Sequence, residues 1–150
     1  AQLHERGHGA FFVPHRLRQK LKNVSRQVKS ASTGGMPAIL VVFDNTACGG
    51  VLSHDHVVQA LYGRIQYPIR TTNDGEPTLG DPFLGGNRGF TPTQNTAVSA
   101  LAVLEEINGA LGLRVYHNVH AAVQLDPRLF DALPVDQRVL PGDTSIEVWA

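Results

Sequence analysis

Seven histidines and a single cysteine are the side chains in this 150-residue sequence best suited to chemistry near neutral pH. Imidazole titrates there, and both groups ligate metals. His54 and His56 stand two apart, and His117 and His120 three apart. In a helix, residues two apart point about 200° away from each other, whereas in a strand they share a face. His117 and His120 converge only if the chain bends after Asn118. Each pair is a candidate ligand set for a metal-dependent hydrolase, set against the plainer reading of surface or hydrogen-bonded histidines. Cys48 lies before Gly49-Gly50. As a nucleophile it would need a positioned histidine, for which His54 is near in sequence, and a positive field. An inert cysteine is the competing reading.

Other catalytic signatures are missing: the sequence has no G-x-S-x-G elbow, no G-x-x-x-x-G-K-[ST] loop and no H-E-x-x-H helix. Gly85-Gly86-Asn87-Arg88-Gly89 is rich enough in glycine to approach a phosphate, although the usual strand-loop-helix order is not evident around it. Asp44-Asn45 follows the most apolar run, and Asn118 follows a second candidate strand. Strand ends collect ligands in open α/β sheets. Asn and Asp equally stabilise turns by local hydrogen bonds.

Charge is unevenly distributed. The formal total is zero, yet residues 1 to 30 hold Arg6, Arg16, Arg18, Lys20, Lys22, Arg26 and Lys29 against Glu5, a balance of +6. Such a segment attracts phosphate or an acidic partner, and it also describes a solvated helix face. The single cysteine excludes an internal disulfide framework and a cysteine-based structural zinc site, and fits a cytoplasmic protein. No apolar run approaches the roughly 20 residues of a membrane span, and the opening residues lack the apolar core of a signal peptide.

Length and a 42% apolar content suit one domain over residues 1–150. Pro14 fits the first turn of a helix, and Leu17, Leu21, Val24 and Val28 recur as one apolar stripe, predicting a basic amphipathic helix over 14–31. Ala38 to Phe43 reads as an interior strand covered on both faces. Ser53 is a candidate N-cap for a short helix over 54–62, stopped by Gly63. Ile65, Tyr67 and Ile69 alternate as an edge strand around Pro68. Residues 71–95 form a long Gly/Pro-rich loop without periodicity. Residues 96–104 and 113–117 predict a hairpin with an enlarged connection near Asn108-Gly109. A short helix from Asp126-Pro127 to Leu133 and a last edge strand over 144–149 complete the reading. The expected class is α/β, with the basic helix packed on a central mixed sheet of about four to five strands.

The stretches LRQKLKNVSRQVKSA, PAILVVFDNT, VVQALYG, TAVSALAVLEE and LRVYHNVHA, across roughly residues 14–122, resemble the C-terminal half of certain bacterial proteins of the restriction-endonuclease-like, PD-(D/E)XK nuclease superfamily. The resemblance implies a hydrolase in which two or three carboxylates hold Mg²⁺ near the scissile phosphate and a lysine positions water. The expected acidic residue with Lys two positions later is not present: the only lysines are Lys20, Lys22 and Lys29, none of which follows an acid at that spacing. The resemblance therefore implies either that the catalytic half precedes Ala1 on a longer chain or that this copy is inactive. It carries over Gln27 as a glutamine near the active centre, with Arg26 and Lys29 beside it as phosphate contacts. Asn45 and Asn118 match its FDN and HN positions.

The expected function is thus a nuclease-like domain, or part of one, binding DNA or other nucleic acid through Arg16, Lys20, Arg26, Gln27 and Lys29. Asp44, Asn45, His117 and Asn118 form a further candidate site at strand ends. The alternatives are a non-catalytic domain docking an acidic protein partner, and the histidine-based metal hydrolase.

Overall fold

The computed structural model describes residues 6–31, 35–43, 52–71, 75–107, 110–140 and 147–149. Asp44, Asn45, Cys48 and the Asn108-Gly109 turn lie outside these residues, as does the first part of the expected tail strand.

The basic helix, α1, runs from Arg6 to Ala31. It starts earlier than its sequence suggests, with Pro14 buried inside it. Proline costs a helix one backbone hydrogen bond; here the ring's burial offsets it. Leu17 and Leu21 are buried, and Val24 and Val28 half-buried, so the apolar stripe faces the core as its spacing requires. Full burial of each leucine contributes about 2 kcal/mol. The second helix, α2, spans His54–Leu61, and the Ser53 hydroxyl oxygen accepts from the His56 backbone N–H at 3.3 Å. It packs against α1 through Val57, Ala60 and Leu61. Gly63, with φ of 99°, turns the chain away.

The fold is α/β. Its main sheet has the order β1-β6-β7-β8-β9. β1 (Ile39–Phe43) runs parallel to β6 (Ala100–Ile107), β6 antiparallel to β7 (Ala110–His117), β7 parallel to β8 (Val135–Val139), and β8 antiparallel to β9 (Glu147–Trp149). Both helices cover one face, where Leu40, Val42, Leu101, Val103 and Tyr116 meet them. On the other face Ala100, Ala102 and Val115 form a smaller cluster with Leu125 and Phe130. No helix among the described residues is long and apolar enough to cross a membrane.

Several elements differ from expectation. β1 is the outermost strand, not an interior one: Val41 is 58% and Phe43 56% exposed. An apolar run reports a wish to be covered on two faces, not that both covers are present. Residues 64–70 break at Tyr67-Pro68 into β2 (Arg64–Gln66) and β3 (Ile69–Arg70). These pair antiparallel with β5 (Phe83–Gly85) and β4 (Thr78–Leu79), so the 71–95 stretch carries two strands too short for periodicity to register. β6 starts at Ala100 rather than 96 and continues to Ile107, opposite Ala110 of β7; the connection is two residues long, not enlarged. The expected helix after Asp126 is one 3-10 turn, Pro127–Phe130. β8 was not expected, since Pro134 reads as a stop; as the residue before a strand it is unobstructive.

Candidate functional site

An open cleft of about 620 Å³ separates the solvent-facing side of α1 from the segment 86–95. His15, Arg18 and Lys22 line it from the helix, and Arg88 lines it from the loop. Amide side chains of Gln19, Asn87, Gln94 and Asn95 add to the wall, and among the described residues no carboxylate lines it.

Each wall has a reason to stay in place. On α1, Arg18 and Lys22 are one turn apart, about 90° around the helix from Leu17 and Leu21, so burial of the apolar stripe fixes where the cations emerge. The loop wall is stitched to the end of α2. Gly89 N–H donates to the Ala60 carbonyl at 2.8 Å, and Phe90 N–H to the Leu61 carbonyl at 2.9 Å, satisfying carbonyls that a helix leaves open at its C-terminus. Phe90 then packs edge-on against Tyr62. Thr91 Oγ1 accepts from the Gln94 N–H at 3.0 Å and tightens the turn. Asn95, at φ 57°, donates from Nδ2 to the Gly89 carbonyl at 2.6 Å. The Arg88 guanidinium donates to the Leu84 carbonyl, which holds its head against the loop. Burial pulls the Arg18 pKa below its ordinary value, yet a guanidinium remains charged at any physiological pH.

The residues singled out by sequence divide among four places. Arg26, Gln27 and Lys29 are exposed on the last two turns of α1. Arg16 and Lys20 lie on the opposite flank of that helix from Arg18 and Lys22, beside β1. His117 and Asn118 are buried, 4% and 2% exposed, and hold the structure together. Gln137 donates from Nε2 to the Pro127 carbonyl at 3.1 Å, leaving its Oε1 to accept from His117 Nε2 at 2.9 Å. Asn118 Nδ2 donates to the carbonyls of Val98 and Asn95 at 2.8 and 3.2 Å, and its Oδ1 accepts from the His120 N–H at 3.0 Å.

His54 belongs to another cluster. Arg114 hydrogen-bonds to the Tyr116 oxygen, the Tyr116 hydroxyl and His54 Nδ1 share a hydrogen bond of 2.8 Å, and the two rings stack. Arg114 also pairs with Glu105 and Asp136, each at 2.9 Å, and Asp136 with Arg138 at 2.9 Å. Both carboxylates are thus neutralised by arginine; the Glu105 contact is an ion pair without hydrogen-bond alignment. Burial pushes the Tyr116 hydroxyl up to about 12. His54 and His117 occupy different faces of the sheet, being held by Tyr116 and by residue 117's own strand position, whose side chains alternate. Among the described residues no three His, Cys, Asp or Glu side chains gather as a metal site.

These histidines set a pH dependence. Burial lowers the pKa of both His54 and His117 below the ordinary 6.5, and the Arg138 and Arg114 cations lower His54 further. The unfolded chain therefore binds protons more readily, so the stabilisation is complete above about pH 6.5 and is lost as pH falls through the folded values. A urea midpoint that drops between about pH 7.5 and about pH 5, with a shallower drop in His117→Gln, is the expected result. A midpoint flat across that interval contradicts it.

Sequence inspection did not single out His15, Arg18, Lys22 and Arg88 as one group. The helical spacing of Arg18 and Lys22 and the glycines around Arg88 were each visible, but their meeting across more than 60 residues of chain was not. Comparison with protein-family models, with curated proteins and with solved structures gave no match.

Proposed function

We propose that this domain is a nuclease-like module, or part of one, that binds nucleic acid along α1 and in the cleft beside it. The observation carrying this reading is a cleft lined by Arg18, Lys22 and Arg88, with His15 beside them and no carboxylate among the described residues. At 100° per residue, Arg18, Lys22, Arg26 and Lys29 fall within about 80° of one another on the helix. They extend over about 16 Å of its axis, the length of about five steps of one nucleic-acid strand. Arginine forks suit phosphate oxygens in pairs, and the amides of Asn87 and Gln94 add neutral donors. Gln27 is exposed next to Arg26, on the same two turns.

The Mg²⁺ chemistry implied by the nuclease resemblance does not fit this cleft, where no carboxylate among the described residues would face the ion. Phosphodiester hydrolysis would require carboxylates beyond those lining residues, and the cleft is assigned the binding part of that work.

The test is a titration of labelled DNA, duplex and single-stranded, against polyglutamate of matched charge. Binding to DNA that weakens with salt is expected, with little affinity for polyglutamate beyond its bulk charge. Arg18→Ala combined with Arg88→Ala should cost about tenfold in affinity and reduce the slope of log K against log salt by about two. Equal binding of both polymers, no binding of either, or an unchanged slope in the double variant defeats the reading.

A further inference from the structure

The other flank of α1 carries a second, chemically different feature. A groove of about 500 Å³ runs between α1 and β1. Its floor is aliphatic, built from Leu17, Val24, Leu40 and Val42, and among the described residues its charged lining groups are Arg16 and Lys20. β1 closes one side of this groove and is an end strand of the sheet, with β6 as its one paired neighbour among the described residues.

Among the described residues no strand pairs with the outer edge of β1. Ala38 directs its backbone toward β6: its N–H donates to Ser99 Oγ at 2.9 Å and its carbonyl accepts from the Ser99 N–H at 2.7 Å. Backbone groups alternate sides along a strand in a parallel pair, so Leu40 and Val42 also face β6. The N–H and C=O groups of Ile39, Val41 and Phe43 then face outward. These same three residues have exposed side chains, on the sheet face away from α1. The edge thus combines a row of unpaired hydrogen-bonding groups, an exposed apolar row on one face, and a cation-rimmed aliphatic groove on the other. Natural sheets blunt open edges with charges, bulges or proline; between Ile39 and Phe43 this strand has no charge and no proline.

We propose that β1 takes up an extended segment of a partner protein as a sixth strand, and that this segment alternates acidic and apolar residues. Charge complementarity selects the occupant. A residue opposite Leu40 or Val42 points into the groove, where a glutamate lays its methylenes on the aliphatic floor and places its carboxylate at Arg16 and Lys20. A residue opposite Ile39, Val41 or Phe43 points to the other face and stacks beside those side chains, which calls for valine, isoleucine or an aromatic. Main-chain hydrogen bonds provide the attraction common to all sequences, and the alternation provides the selectivity. A second copy of this chain is the poorer occupant: pairing β1 with itself would bring two Arg16-Lys20 pairs to the same seam. The proposal is independent of nucleic-acid binding, which uses the opposite flank of the helix.

The experiment is fluorescence anisotropy with an end-blocked, labelled peptide of about six alternating Glu and Val residues, the length of an ordinary strand. Two controls accompany it: the same composition with the glutamates and valines in separate blocks, and an alternating Lys and Val peptide. Only the alternating acidic peptide is expected to bind, and Arg16→Glu with Lys20→Glu should weaken it at least tenfold. Val41→Pro deletes an outward N–H without touching the ladder to β6, and should abolish binding. Should that variant fold poorly, Val41→Glu, at an exposed side chain, provides the same readout by repelling the acidic peptide. Equal binding of either control peptide, or no loss in the Val41 variants, overturns the proposal. So does a dimer of the chain that Val41→Glu dissociates, which would make the occupant a second copy.

Discussion

Asn118→Ala is expected to destabilise the domain by about 3 kcal/mol, the summed cost of leaving buried partners unpaired at about 1 kcal/mol or more each. The side chain is 2% exposed and uses its amide completely: two carbonyls, of Val98 and Asn95, receive its N–H groups, and the His120 N–H reaches its oxygen. Its own backbone N–H donates to the Ser99 carbonyl at 2.9 Å. One residue therefore ties the end of β7 to the turn that leads into β6, and that turn contains Asn95, the residue that holds Gly89 beside the cleft. Asn118→Asp should lose at least as much: an oxygen still accepts from His120, but the two carbonyls then face a buried carboxylate instead of a donor. Urea denaturation reads both. A loss below about 1 kcal/mol in Asn118→Ala, within the ordinary range of surface changes and small rearrangements, would refute the structural role and return Asn118 to the list of ligand-binding candidates.

The second large effect is expected at Gly89→Ala. A Cβ there would lie 2.8 Å from the Ala60 carbonyl oxygen and 3.0 Å from a methyl of Leu21. The first neighbour is backbone and cannot swing aside. Relief requires the loop to lift off the α1-α2 pair, which lengthens the Gly89 and Phe90 hydrogen bonds to the end of α2. Overpacking of this kind costs about 1–3 kcal/mol. Because the same loop presents Arg88, DNA affinity should fall as well. Gly86→Ala is the informative comparison: φ at Gly86 is 86°, but nothing stands within 4 Å of its missing Cβ. Its cost is limited to the left-handed backbone, about 1 kcal/mol. If the two substitutions prove equally mild, the close approach of loop and helices is wrong.

Local chemistry was legible in the sequence. The stripe of Leu17, Leu21, Val24 and Val28 placed α1 against a sheet, and Ser53 and Gly63 bracketed α2 to within a residue. Apolar runs marked β1, β6 and β7, and the α/β class followed from their order. What the sequence could not carry was partnership. Nothing in ILVVF distinguishes an end strand from a central one, because the difference lies in whether another element arrives. β8, with Asp136, Gln137 and Arg138, looked polar because its side chains are used in pairs: Asp136 and Arg138 in the Arg114 network, and Gln137 on His117.

The candidate site shows the same division. A count of basic residues treats α1 as one positive surface, yet helical geometry splits it, with Arg18 and Lys22 on one flank and Arg16 and Lys20 on the other. Their different surroundings, a polar cleft and an aliphatic groove, come from residues far away in the chain. His117 and Asn118 illustrate the reverse error. Their types suggested chemistry, and their burial assigns them to architecture.

The bare margin at Ile39–Phe43 bears on how the protein behaves in bulk. Five neighbouring uncharged residues in an end strand, three of them exposed, are the kind of segment on which identical chains stack into ordered precipitate. Concentration alone raises that hazard, and the Val41→Glu substitution should ease it. Whatever molecule caps this margin thereby also acts as the domain's solubiliser.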